Sequence, residues 1–327
     1  VMKKRKRLYI LSGLVMFLCM GTIYSWSVFR GPLIKELELI SGEHIGATLA
    51  QMPYTLFLLM YSFTMPFSGK LIKKIDPRIL CISGSLLVAL GWILAGSSTS
   101  IYQIMWTYGV LGGLGVGIVY GVPIAIVTEW FPHRKGLAVG ITLMGFGISP
   151  LISAPIANAL INKSGVFQAF KDMGFAFALV LGLLSLLFQF PKEKIELHKI
   201  SKNEVEFTTK EMLKTKSFYA LWACFVIGTF VGLTMVGIAS IYAQETVGLK
   251  RETATILLSV FAIFNGIGRP IFGSLVDKIG TKKTIYLSYT LIAISSLLQI
   301  IKSENTVIFI VSFILFFLNL GGWLSIV

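Results

Sequence analysis

Pro270-Ile271-Phe272-Gly273-Ser274-Leu275-Val276-Asp277-Lys278-Ile279-Gly280-Thr281-Lys282-Lys283 closes one long apolar run and opens the next. The same Pro-x-x-Gly-x-Leu pattern stands 204 residues earlier as Pro66-Phe67-Ser68-Gly69-Lys70-Leu71, followed by Asp76-Pro77-Arg78. A second pair, Gly112-Gly113 and Gly321-Gly322, matches at an offset of 209. Two related halves in an apolar chain are how many secondary transporters are built.

Apolar runs lie on both sides of each copy. They cover residues 8–29, 45–68, 79–97, 101–128, 136–161, 174–190, 218–243, 253–276, 284–301 and 306–327. Each approaches the roughly 20 residues that a helix needs to cross a bilayer. The first run is too long for the roughly 7–15-residue core of a signal peptide, so a retained helix is expected. Composition agrees: 55% of the 327 residues are hydrophobic and 13% are charged, against about 25% charged in soluble domains. An ordinary soluble enzyme is excluded, and 24 Phe exclude a disordered chain. The expectation is an all-α polytopic membrane protein with ten visible spans.

The net charge of +14 has a topological reading. Of the 29 Lys and Arg, 21 fall in the N-terminal tail and in loops on its side of the membrane, 7 in the opposite loops, and Arg269 within a span. That bias puts the N-terminus in the cytoplasm. It builds no single basic face, so nucleic acid is not an expected partner. Residues 191–217 mix seven Lys with five Glu and form the longest polar break. They read as a cytoplasmic linker between a six-helix half, residues 1–190, and a second half, residues 218–327. By the repeat, Val327 maps onto about Ile118, so the chain is expected to stop inside its tenth span. Two further helices would complete a protein of about 400 residues and twelve helices.

A charge inside a span costs on the order of 2.5–3.5 kcal/mol on insertion scales. Arg269 is the clear case; Glu129 sits only at a span end. A fixed cation with no deep carboxylate favours an anionic ligand. Arg269 can also be read as snorkelling, since it lies about seven residues, roughly 10 Å, from the span end. Its repeat partner is Met65, so the fold does not demand a charge there. Asn265 lies one turn away on the same face. Tyr24 and Tyr120 can donate to a carboxylate, or simply pack. Glycines (Gly112, Gly113, Gly115, Gly117 and Gly121; Gly140, Gly145 and Gly147) allow close helix contact, and Pro150 and Pro155 can bend the fifth span. Trp92, Trp106, Trp130 and Trp222 sit near span ends and read as interface anchors. Cys19, Cys81 and Cys224 read as packing residues, with no metal-ligand spacing.

The stretch 273–283, Gly-x-Leu-x-Asp-Lys-x-Gly-x-Lys-Lys, resembles the signature of the major facilitator superfamily. In it Gly273 allows close approach, Asp277 can accept bonds from a neighbouring helix end, and Lys278, Gly280, Lys282 and Lys283 form the basic loop. Within that superfamily the chain is similar to the oxalate/formate antiporter family. The matching segments are Tyr24-Ser25-Trp26-Ser27, Gly115-Val116-Gly117-Ile118-Val119-Tyr120-Gly121, Trp130-Phe131-Pro132-His133-Arg134-Lys135-Gly136-Leu137-Ala138 and Phe264-Asn265-Gly266-Ile267-Gly268-Arg269-Pro270. The resemblance implies that Arg269 holds a carboxylate, with Tyr24 and Tyr120 as hydrogen-bond donors. The chain departs from the family at Lys73, where an acid is expected, at Phe146, where a tyrosine is expected, and at Leu320, where an aromatic is expected.

The expectation is a monomeric secondary transporter of small organic anions (oxalate, formate, lactate or pyruvate) in a prokaryotic cytoplasmic membrane. It would work by alternating access, as antiporter or proton symporter. No cofactor, metal or enzymatic step is implied. Two alternatives stand beside it: a transporter of drugs or sugars, and a truncated remnant that does not transport.

Overall fold

The computed structural model describes residues 2–72, 74–191, 209–301 and 304–326. Lys73 and most of the expected 191–217 linker, residues 192–208, lie outside the described residues, as does Val327. Every regular element among the described residues is helical. In chain order they are α1 (Met2–Met20), a 3-10 segment Gly21–Ser25, α2 (Trp26–Ser41), α3 (Ala47–Leu71), α4 (Pro77–Ala95), α5 (Ile101–Ile104), a π segment Met105–Gly112 and α6 (Gly113–Trp130). Then come α7 (Lys135–Ser164), α8 (Val166–Ser185), α9 (Thr209–Met212), α10 (Lys216–Ile241), a π segment Tyr242–Thr246, α11 (Arg251–Ile279), α12 (Thr281–Ile301) and α13 (Thr306–Ile326).

Local chemistry sets the helix boundaries. The Asp76 carboxylate accepts from Arg78 N at 2.8 Å, and Pro77 occupies the first turn of α4, where a missing N–H costs nothing. Ser100 accepts from Gln103 N while the Gln103 side chain accepts from Thr99 N, a reciprocal cap that starts α5. Gly280, with φ +82, turns the chain between α11 and α12 in one residue. Pro150 and Pro155 do not break α7, which runs through both for 30 residues.

Nine described helical segments are long and apolar enough to cross a membrane. The expected span at 45–68 is the 25-residue helix α3. It meets the length but falls short in apolarity, because Gln51, Pro53, Tyr54, Thr55, Tyr61, Ser62, Thr64 and Pro66 dilute its aliphatic residues.

Contacts divide the chain into two compact units: Val1–Val127 with Ile148–Gln189, and Thr128–Gly147 with Phe190–Val327. Residues 128–147 thus group with the second unit, although the sequence places them in the 1–190 half.

In the first unit, Gly84 and Gly115 bring α4 and α6 together so closely that a Cβ on Gly115 would lie 2.7 Å from Gly84 O. An aromatic core packs Trp26 on Tyr108 (5.0 Å between centroids), Trp92 on Phe29 (5.4 Å) and Trp92 on Phe177 (5.2 Å). Trp92 is therefore not an interface anchor: it is 2% exposed at the centre of this core. Trp106 and Trp222, 70% and 57% exposed, do face outward. At the 3-10 break, Ser25 and Ser153 share a hydrogen bond of 2.7 Å, and Ser149 donates to Leu18 O at 2.6 Å. Cys81 is buried, and all three cysteines are free thiols.

In the second unit, α11 and α13 pack along their lengths around Phe261, Phe309, Phe313 and Phe317. Tyr242 extends this core by stacking on Phe309 and bonding Gln299 at 2.6 Å. A second cluster joins Phe272, Trp323 and Ile326.

Candidate anion site

Helix α11 carries Asn265 and Arg269 one turn apart, and both neighbours touch it through glycine. On the α7 side, Gly136 meets Gly273 backbone to backbone, Gly140 meets Arg269 O, and a Cβ on Gly147 would lie 2.8 Å from Gly266 Cα. On the α13 side, Gly268 meets Leu318 O and Gly321 meets Asn265 O. Positions 136, 140 and 147 lie on one helical face, and a missing side chain at each lets the backbones approach.

That approach puts the Arg269 guanidinium among α7 groups. Arg269 is 0% exposed. Nη1 donates to Leu143 O at 2.7 Å, and Cζ lies 5.7 Å from the centroid of the Phe146 ring. Nε and Nη2 are buried and have no partner; neither does Oδ1 of Asn265. A snorkelling arginine keeps its head group in water, and this one does not. Among the described residues, no carboxylate lies within 4.0 Å of Arg269, so it is not neutralised internally.

The free atoms define the chemistry. Nε–H and Nη2–H point from the same edge of the planar fork, the geometry that grips two carboxylate oxygens at once. A buried cation with unmet donors is expensive. An anion arriving at that edge removes both costs, and the Phe146 face further favours the charged guanidinium.

The other expected residues fall in separate places. Tyr24, half-buried, lies in the 3-10 segment of the first unit. Tyr120 is in the same unit, edge-on to Phe17 at 4.8 Å and 5.2 Å from Tyr61. In the last turn of α11, Asp277 accepts from Gly136 N at 2.9 Å through Oδ1 and from Leu137 N at 2.8 Å through Oδ2. This carboxylate satisfies two orphan donors at the start of α7. Gly273 is buried in the helix contact, while Lys278, Lys282 and Lys283 are exposed. Two participants were not legible beforehand: the Leu143 carbonyl and the Phe146 ring as a neighbour of Arg269. The signal was present in the spacing of Gly140 and Gly147, which marks the face of α7 that meets α11.

Known proteins agree with this architecture. A crystal structure of the major facilitator transporter FucP in its outward conformation superposes with a TM-score of 0.66, at 14% identity, covering 98% of this chain and 87% of that one. The oxalate:formate antiporter of Oxalobacter formigenes is 31% identical over 316 residues, 96% of this chain and 73% of its own length. Human monocarboxylate transporter 12 is 30% identical over 252 residues, 68% of this chain and 49% of its own. The family model of the Major Facilitator Superfamily matches residues 8–327, and the chain belongs to that superfamily of membrane transporters.

Proposed function

We propose that this transporter moves small organic anions, mono- or dicarboxylates of the size of oxalate, formate, lactate or pyruvate, by alternating access. The observation that carries the reading is the unpartnered Nε–Nη2 edge of Arg269, a wholly buried cation with no internal counter-charge among the described residues. The substrates named for two relatives, oxalate with formate and monocarboxylates, share the carboxylate that such an edge fits.

In this reading Arg269 grips the carboxylate side-on, and Asn265 lines the same face of α11. Tyr24 and Tyr120 are the further hydrogen-bond donors that this reading assigns to the carboxylate. The glycine contacts of α7 and α13 with α11 let the helices shift without side chains in the way. In the same reading the chain lies in a cell membrane with its N-terminus and the 191–217 linker in the cytoplasm, the orientation that the 21-to-7 division of basic residues supports.

The test is exchange in proteoliposomes preloaded with unlabelled formate or oxalate. External labelled carboxylate should accumulate by counterflow, and a neutral sugar should not compete. Equal exchange of a neutral sugar, with no carboxylate counterflow, would overturn the proposal in favour of another substrate class. Dependence of uptake on an imposed pH gradient separates proton symport from anion exchange.

A further inference from the structure

One basic surface in the second unit has no role in gripping the substrate. It surrounds Asp277. Arg134 and Lys135 are exposed at the start of α7; Lys278 is exposed in the last turn of α11; Lys282 and Lys283 are exposed in the first turn of α12. The hydrogen bonds from Gly136 N and Leu137 N to Asp277 hold the two groups of cations side by side. Both oxygens of the one carboxylate at their centre are thereby committed to backbone donors. None of the five cations has a carboxylate within 4.0 Å among the described residues.

Their placement makes that lack costly. Four of the five sit at or beside helix N-termini, where the backbone already presents partial positive charge, and neither α7 nor α12 has an acidic residue in its first turn. All five lie at the ends of helices long and apolar enough to cross a bilayer, which is headgroup depth. Between them Ile279, 40% exposed, offers an apolar side chain at the same level. A partner must therefore bring several negative charges to a membrane surface and present apolar material next to them.

We infer that this surface binds anionic phospholipid headgroups of the cytoplasmic leaflet, with the lipid phosphates between the α7 start and the α11–α12 turn and the acyl chains against Ile279. Clustered basic residues just outside a membrane helix attract anionic lipid at short range. Because Asp277 ties the end of α11 to the start of α7, a lipid bound here stabilises that contact.

The full chain in neutral detergent is titrated with short-chain phosphatidylglycerol, with phosphatidylcholine of the same chain length, and with inorganic phosphate, while the thermal midpoint is followed. Phosphatidylglycerol should raise the midpoint saturably, and the other two should not. K278Q/K282Q/K283Q should weaken that response about tenfold or more, and the charge-matched K210Q/K214Q/K216Q should leave it within about twofold. R134Q/K135Q, on the other side of Asp277, should weaken it as well, so the test does not depend on one variant folding. Equal weakening by K210Q/K214Q/K216Q would reduce the effect to diffuse charge and overturn the proposal. So would an equal response to phosphatidylcholine, or a response that inorganic phosphate alone reproduces.

Discussion

The Arg269 guanidinium hangs by one hand: Nη1 donates to Leu143 O at 2.7 Å, while Nε and Nη2 are buried without a partner. This divides the labour of one side chain. The Leu143 bond fixes the plane of the fork, and the opposite edge, which the proposed function assigns to the carboxylate, stays unpaired. Arg269→Lys keeps the charge but loses both the planar fork and the side-on edge. Carboxylate uptake in proteoliposomes should fall by about two orders of magnitude, the usual scale for truncating one partner of a buried charged contact. Arg269→Gln should fall at least as far. Uptake by Arg269→Lys at the parent rate would show that charge alone suffices and that the fork is not used.

The glycine seam makes a contrasting prediction. A Cβ at Gly140 would press on Arg269 O and lie 2.7 Å from Pro270 Cα, so backbone must move. Gly140→Ala should therefore destabilise by about 1–3 kcal/mol, as overpacking does. Gly182 lies in α8 with nothing within 4 Å of its added Cβ. Gly182→Ala should be neutral or stabilising by up to about 1 kcal/mol. Reversible unfolding in mixed micelles reads both. Equal effects would mean that helix propensity outweighs the close contact.

The reach of the sequence follows from the same residues. Apolar runs report span number because the bilayer sets one length for all of them. They mark α3 as well, a helix of full length, although its polar and proline residues make it less apolar than the other spans. Position in a span misplaced Trp92, because burial is decided by Phe29, Phe170, Phe177 and Tyr108 from other helices, and none of these is near it in sequence. Arg269 was legible because a buried charge is rare enough to stand alone. Its partner was not, because Leu143 contributes a main-chain carbonyl, and every residue has one. Asp277 was legible as a cap, but which helix it caps is a tertiary fact.

That cap can be weighed. Asp277 serves Gly136 N and Leu137 N with separate oxygens. Asp277→Ala removes both acceptors and should cost about 1–2 kcal/mol, the range for losing a helix cap. Asp277→Asn keeps one acceptor oxygen and should cost less than Asp277→Ala. The order Ala worse than Asn is the measurable outcome in thermal unfolding. An Asn variant as unstable as the Ala variant would assign the effect to charge at the helix start instead of to the hydrogen bonds.

The last prediction concerns the aromatic core of the first unit. Trp92 contacts Phe29, Tyr108, Phe170 and Phe177 at centroid distances of 5.2–5.4 Å and is almost completely enclosed. Trp92→Ala leaves a cavity lined by four rings, so a loss of about 3–5 kcal/mol is expected. Trp106 lies in the π segment Met105–Gly112 and is 70% exposed. Trp106→Ala should change stability by no more than about 0.5 kcal/mol, the scale of surface substitutions. Trp92→Phe separates shape from chemistry: a ring of smaller area keeps part of the stacking, and its loss should fall between the parent and Trp92→Ala. If Trp92→Ala and Trp106→Ala unfold at the same denaturant midpoint, Trp92 is not the centre of that core, and the four rings close around something else.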